Sequence, residues 1–482
     1  MGTRFPLFGT HSAHPLGQRG EGLEEGTLPL LQDYRKEKRG SWGRDSSLPQ
    51  TVVPVRNSVC QLPHRILGGG VRRNLKLGEG AGAPSRGSGA EPLSFSSFFD
   101  EEFPGHEVNN QQKHKYTEPR YGFMSHFKGH GGVHEHRAMY WQPYKEGVEC
   151  LLCPHRCKIG EGRRGVCGVR MNRGGVLYTL IYGLAGSVAV DPIEKKPLHH
   201  FYPGSSVLSF GAPGCNLKCE FCQNFTLSQA RPEEISLTEI RSEDVPEIAR
   251  KNMADGVAWT YNEPSIWHEW SIEGMRECKK AGLYTVYVSN GYINEDPHRE
   301  LKGLLDAMNI DVKGFTEEFY QKICKGRLQP VLETCIRAVE MNMHLEITYL
   351  VIPTLNDSPE MIRNFSRWAV NSLNPDVGIH FSRFHPDYKL MHLPPTPFET
   401  LKRAYEIARG EGLRYVFLGN IYQSGFEDTY CPSCGTPVIE RSGFSIRAVN
   451  LSKDNLCVRC GTKIPIVGCV KNPETPYPRP VF

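Results

Sequence analysis

From residue 206 onward, seven short β-rich runs alternate with stretches of helical periodicity, and this alternation constrains the fold more than any other feature. The runs are 206–210, 257–260, 284–288, 309–312, 345–352, 377–381 and 415–418. In the intervening stretch 398–408, Phe398, Leu401, Tyr405 and Ala408 share one helical face, with Pro397 placed for the first turn and Thr396 for the N-cap. Strand and helix alternating every few tens of residues imply right-handed βαβ crossovers and a parallel sheet. Catalytic loops of such folds lie at the C-terminal ends of the strands.

One of those ends carries a dense cysteine motif. After Val207–Phe210 and a Gly-Ala-Pro-Gly turn comes Cys215-Asn-Leu-Lys-Cys219-Glu-Phe-Cys222. Three thiolates at this spacing can wrap one face of an iron–sulfur cube, where a ferredoxin site supplies four. The fourth iron is then open to a ligand that is not protein, and an open coordination position signals chemistry. Leu217 and Phe221 are placed to shield such a cluster.

Eleven of the 16 cysteines fall into three motifs. The early one, Cys150-x2-Cys153-x3-Cys157-x9-Cys167, suits zinc or a second iron–sulfur cluster, with a lean to structural zinc; Gly160, Gly162 and Gly165 supply the turns that return Cys167. The late one pairs Cys431 and Cys434 with Cys457 and Cys460, the pattern of a zinc ribbon. Cys60, Cys278, Cys324, Cys335 and Cys469 have no spacing logic and read as buried structural thiols. Grouped Cys-x2-Cys pairs without a secretory segment imply a reducing, cytoplasmic setting.

The cluster run resembles that of the radical S-adenosylmethionine (SAM) enzymes, and Cys222-Gln-Asn resembles the branch of the pyruvate formate-lyase activases. Further motifs narrow the resemblance: Cys150–Cys157, Asp191-Pro-Ile-Glu-Lys-Lys-Pro-Leu198, Thr260-Tyr-Asn-Glu-Pro264, Ser289-Asn-Gly-Tyr292 and Asp311-Val-Lys-Gly314. Together, over roughly residues 139–468, they resemble the radical SAM enzyme of the AmmeMemoRadiSam system. The resemblance implies an α/β fold with a partial (β/α)6 barrel. It implies a [4Fe–4S] cluster on Cys215, Cys219 and Cys222, with SAM chelating the open iron. It implies an electron donor such as ferredoxin or flavodoxin, and partnership with AMMECR-type and Memo-type proteins.

SAM contacts are expected from Asn262, Glu263, Ser289, Asn290, Asp311, Lys313 and His385. Asp311 and Lys313 alternate on one strand and would need each other or a ligand. His380, Arg383, His385 and Asp387 are expected to converge at a strand end, Arg383 as an anion clamp. Val351 and Ile352 read as plain core. Where the activases have an acid before the Ser-Asn-Gly motif, this chain has Val288. The run Asp191–Phe201 reads equally as a lid or interface near the site and as a solvated loop.

The expected organisation is a disordered, low-complexity region at 1–138, in which His126, His130, His134 and His136 could bind metal only loosely; a Cys-rich module at 139–200; the core at 201–427; a ribbon module at 428–468; and a tail at 469–482. The formal charge of +4 gives no call for nucleic acid, and no apolar run approaches a membrane span. Two other functions fit the motifs: an activase that places a glycyl radical on a partner enzyme, and a non-catalytic adaptor whose cysteines all hold zinc.

Overall fold

The computed structural model describes residues 135–471. Its centre is an eight-stranded sheet: β1 (Ser187–Pro192), β2 (Ser206–Gly211), β3 (Gly256–Trp259), β4 (Tyr284–Ser289), β5 (Ala307–Asp311), β6 (His344–Val351), β7 (Gly378–Arg383) and β8 (Val416–Gly419). Strands β2 to β8 are parallel and lie in sequence order, and β1 pairs antiparallel with β2 at the edge. All seven expected runs are therefore strands, each within a residue or two of its expected bounds. The succession is that of six strand–helix units closed by a strand. The sheet is open, β1 and β8 being its edges.

The helices between parallel strands are α1 (Val245–Lys251), α2 (His268–Lys280), α3 (Glu295–Glu300), α4 (Gln329–Glu340), α5 (Pro359–Trp368) and α6 (Phe398–Gly410). Each has identifiable local causes. In α5, Ser358 accepts from the Met361 amide at 3.2 Å and Pro359 opens the first turn. Helix α2 buries Trp270, Ile272, Met275 and Cys278 and ends in Lys279 and Lys280, which favour the negative end of its dipole. Helix α6 buries Leu401 and Ala408 as expected. Its cap differs: Pro397 holds the N-cap position, and Thr396 is fully buried, its hydroxyl accepting from the Phe384 amide (2.9 Å) and donating to the Val351 carbonyl (2.6 Å). Two orphan groups at the ends of neighbouring strands outcompeted the helix for that hydroxyl.

Alternation gives the sheet two different faces. Leu208, Phe210, Val257, Trp259, Tyr287, Ile310, Ile347 and Phe381 belong to the core shared with the helices. The opposite face carries Val207, Ala258, Val286 and Ala307, over which Ile193, Leu198 and Phe201 pack. The segment after β1 thus covers the N-terminal half of that face. The C-terminal half is left to the loops.

Small sheets flank this core. Strands 141–144, 147–150 and 158–159 form one; another pairs 136–137 with 176–179 and 170–173, where His136 stacks on Tyr182 at 4.0 Å. The late module is a three-stranded meander over 429–449. No helix among the described residues is long and apolar enough to cross a membrane. His126, His130, His134 and Cys60 lie outside the described residues.

Candidate active site

The three-cysteine loop leaves the C-terminal end of β2 through Gly214, whose φ is +88°. A Cβ there would stand 2.6 Å from the Cys167 carbonyl oxygen, so glycine is required both by conformation and by the close approach of the early module. The loop is pinned from below: the Lys218 and Glu220 amides donate to the carbonyls of Cys324 (2.9 Å) and Ile323 (3.1 Å). Gly326 makes room for Leu217, whose Cδ2 would lie 2.6 Å from any added Cβ. Leu217 and Phe221 are buried, as expected of shielding residues.

The thiols themselves are buried or nearly so, and they are met by donors. The Leu217 amide and Asn290 Nδ2 lie 3.5 and 3.7 Å from Cys215 Sγ, and Ser228 Oγ lies 3.1 Å from Cys222 Sγ. Burial pushes the Cys215 thiol up, with Glu263 and the neighbouring thiols adding to the effect. A hydrogen bond with Cys324 and then burial raise Cys219, while the Lys313 ammonium opposes both. Three thiols that resist ionisation, with N–H donors at Cys215 and a hydroxyl at Cys222, fit a cationic metal cluster that would hold them as thiolates. Cys324 is a buried free thiol, as Cys278 and Cys335 are. Its position beside Cys219 had no signal in spacing, because it arrives from a turn a hundred residues later. Cys469 differs from expectation, being half-buried and disulfide-bonded.

The residues expected to contact SAM are mostly engaged within the protein. Asn262 Oδ1 accepts from the Ala212 amide (3.1 Å) and its Nδ2 donates to the Gly214 carbonyl (2.9 Å), so it braces the turn entering the cysteine loop. Glu263 is fully buried; it accepts from the Ser265 amide (3.0 Å), Ser289 Oγ (2.9 Å) and the Asn290 amide (2.8 Å). Asn290 Nδ2 also donates to Asn216 Oδ1 at 2.9 Å. Gly291, with φ +67°, turns the chain after this pair. The carboxylate of Glu263 therefore ties the end of β3 to the end of β4, and Asn290 carries the tie to Cys215.

Asp311 and Lys313 pair at 2.9 Å next to the cluster loop, the ammonium also lying 5.7 Å from the centre of the Phe221 ring. Asp311 keeps a third of its side chain exposed. His385 is exposed. The expected convergence around it does not occur: Arg383 Nε donates to the Thr396 carbonyl (3.0 Å), Asp387 caps the Tyr388 amide (2.7 Å), and His380 bonds Glu346 at 2.7 Å. His380 lies five residues before His385, toward the other end of the strand, and its ring packs with those of His199 and Phe417. Val351 and Ile352 are fully buried core.

Asp191–Phe201 is not a solvated loop. Glu194, Lys196, His199 and His200 are buried with the apolar residues of the segment. Four partners hold Glu346 as a carboxylate against the opposing effect of burial: the amides of His199 (3.0 Å) and His200 (2.8 Å) and the imidazoles of His344 (2.9 Å) and His380 (2.7 Å). Asn309 Nδ2 donates to the Pro197 carbonyl at 2.8 Å. Asp191 takes both Lys195 (2.8 Å) and Lys196 (2.6 Å) and accepts from the Tyr261 hydroxyl at 2.5 Å. Burial works against its ionisation, but these partners hold it below the usual carboxylate range. The segment is an interface: Arg441 of the late module donates to the His199 carbonyl at 2.8 Å and faces Glu194.

The two outer cysteine sets are built differently. Cys431, Cys434, Cys457 and Cys460 bring their sulfurs within 4.8 Å of one another. Cys150, Cys153 and Cys167 are buried and Cys157 is half-buried. Burial raises Cys153, Cys157 and Cys167, and the sulfurs also repel one another as thiolates, so the four lie within mutual reach.

The model of the radical SAM superfamily matches residues 210–366. An uncharacterised protein of Methanocaldococcus jannaschii is 43% identical over 332 residues, covering 68% of this chain and 99% of its own. The pyruvate formate-lyase 1-activating enzyme of Escherichia coli K12 is 26% identical over 229 residues, 45% of this chain and 93% of its own. Among solved structures, Streptococcus suis SuiB bound to S-adenosylmethionine aligns at 14% identity with a TM-score of 0.36, over 45% of this chain and 52% of that one.

Proposed function

This chain belongs to the radical SAM superfamily, in one family with the Methanocaldococcus protein, and from that premise we propose that it cleaves SAM reductively and abstracts hydrogen from a substrate within an AmmeMemoRadiSam system. The observation that carries the reading is the Cys215–Cys219–Cys222 loop, pinned to Ile323 and Cys324 at a parallel-strand C-terminus and supplied with N–H donors to sulfur. Such a loop would hold a [4Fe–4S] cluster, which with SAM bound supplies one-electron cleavage of the sulfonium and radical hydrogen abstraction.

The chain's own residues do the positioning. Asn262 and Gly214 set the entry of the loop, and Glu263, Ser289 and Asn290 lock two strand ends around Cys215. Leu217 and Phe221 exclude water from the sulfurs, which strengthens every electrostatic interaction there. The part-exposed Asp311 carboxylate and its Lys313 partner offer a charge pair suited to the ammonium and carboxylate of an amino acid moiety. Cys324, whose bond with Cys219 raises that thiol in the empty loop, would turn its S–H toward a Cys219 thiolate once iron is bound. The late module holds zinc, and Cys150–Cys167 a second metal. The setting is cytoplasmic, with a ferredoxin- or flavodoxin-like donor and AMMECR-type and Memo-type partners.

Anaerobically reconstituted protein should bleach on dithionite and release 5′-deoxyadenosine from SAM. A well-reconstituted protein that yields neither overturns the reading. The relatives named as pyruvate formate-lyase activating enzymes favour one second reading, a glycyl-radical activase. Electron paramagnetic resonance (EPR) of a reconstituted pair would then show a glycyl doublet on the partner. Zinc without iron or sulfide would instead mark an adaptor.

A further inference from the structure

We propose that Cys150, Cys153, Cys157 and Cys167 hold a second, redox-active [4Fe–4S] cluster rather than zinc. The expectation of structural zinc rested on thiol count, which does not separate the two metals. Geometry does. Zinc draws four thiolates to about 2.3 Å, which puts neighbouring sulfurs about 3.8 Å apart in a tetrahedron. The late module has that spacing already: Cys431 Sγ lies 3.5 Å from Cys460 Sγ, and Cys434 Sγ 3.7 Å from Cys457 Sγ. Among the described residues, only that set gathers three or more ligand atoms within 4.8 Å. Neither the early four nor the Cys215 trio gathers three sulfurs within 4.8 Å, although the early sulfurs are near enough to repel one another as thiolates. A cubane needs the wider spacing, because its irons and sulfides stand between the thiolates.

The backbone makes the same distinction. Both halves of the late module are one knuckle repeated: Cys431 and Cys457 donate to Thr436 and Thr462, and accept from Gly435 and Gly461, each at 2.8 to 3.0 Å. The early motif has no such knuckle. There the Cys150 amide donates to the Cys157 carbonyl at 2.9 Å, opening a loop around the sulfurs. N–H donors face the sulfurs, Val166 N at 3.5 Å from Cys157 Sγ and Arg170 Nη1 at 3.6 Å from Cys150 Sγ, as at the Cys215 site. Such bonds stabilise a reduced cluster, since they compensate the added negative charge.

Position gives the second cluster its use. Cys153 and Cys167 belong to the same core as Cys215 and Cys219. The Cys167 carbonyl abuts Gly214, and His155 Nε2 lies 2.7 Å from the Asn216 carbonyl. Only Gly214 thus stands between Cys167 and Cys215, and His155, two residues from both Cys153 and Cys157, reaches the residue that follows Cys215. The step is a simple one: an external one-electron donor is oxidised, the second cluster takes the electron and goes from its 2+ to its 1+ core, and no bond is made or broken. The half-buried Cys157 is the sulfur nearest solvent in the set.

The test is metal analysis of the anaerobically purified full chain, with EPR after dithionite. The expectation is about eight iron, about eight sulfide and one zinc per chain, and two reduced signals, of which SAM perturbs only one. Cys153→Ala/Cys167→Ala should lose about half the iron and the SAM-insensitive signal, keeping the other. About four iron with two zinc in the wild type, and a single signal, would overturn the proposal without any variant having to fold. The inference rests on the radical SAM reading for its use but fails separately. A SAM-insensitive signal surviving alone refutes the Cys215 assignment and leaves this one standing.

Discussion

Replacing Glu263 by glutamine separates two roles that the sequence leaves merged. As a bracket, the carboxylate accepts from two backbone amides and one hydroxyl without solvent. Ser289 can rotate its hydroxyl to suit an amide. The Ser265 and Asn290 amides cannot, because they bond different oxygens of Glu263, and glutamine offers only one acceptor. One buried N–H is therefore left facing an NH2 group whichever way the amide sits, at a cost of about 1–3 kcal/mol, and the remaining bonds lose their charge assistance. Burial raises the Glu263 carboxyl, so a neutral group is cheaper to bury and returns part of that cost. The net destabilisation should be about 2 kcal/mol, a Tm loss of roughly 4 °C. SAM cleavage should fall as well, because Asn290 no longer holds Cys215. Differential scanning calorimetry of Glu263→Gln, beside a 5′-deoxyadenosine assay, reads both quantities. A variant with unchanged Tm and abolished cleavage would refute the bracket and make Glu263 a direct ligand of SAM.

Other outcomes follow from the same structure. Burial lowers both His200 and His298 to about 3 from 6.5, so each binds its proton first in the unfolded chain. The stability they confer is complete above pH 6.5 and drains away between 6.5 and 3, by about 1.4 kcal/mol per pH unit per histidine. Thermal unfolding between pH 7 and 5 should show this, and a flat Tm would contradict it. Cys324→Ala should keep the full iron content of the Cys215 site and shift its midpoint potential downward in an EPR redox titration, since the thiol beside Cys219 that would donate to an iron-bound thiolate is lost; loss of iron would make Cys324 a ligand instead. Thr396→Val should cost about 1–3 kcal/mol in urea unfolding, because the Phe384 amide loses its acceptor. An unchanged midpoint would deny that bond its weight.

What could be read from the sequence was local. The seven parallel strands announced themselves because a buried strand needs a short apolar run, and the cysteine motifs because metal fixes spacing. The misreadings share a cause, partners that arrive from far along the chain. Thr396 looked like a cap until two strand ends claimed its hydroxyl. His380 looked like part of a cluster with His385, but Glu346 takes it to the other end of the strand. The run Asp191–Phe201, dense in charge and histidine, looked equally like a loop in water. Its buried polar groups are met by Tyr261, Glu346 and Arg441, none of which a linear pattern connects to it. Cys324 carried no spacing signal at all, and its meaning depends wholly on the turn that sets it beside Cys219.

The bond from Arg441 to the His199 carbonyl bears on the order of assembly. Tyr415, just before the last parallel strand, and Phe417 within it pack into one cluster with Cys431, Val438 and Cys457. On a ribosome, the catalytic half of the chain emerges while this flank is still bare, with Glu194 awaiting its guanidinium. A nascent chain stalled before Arg441 would leave Phe417 without its apolar cover and buried Glu194 without that cation.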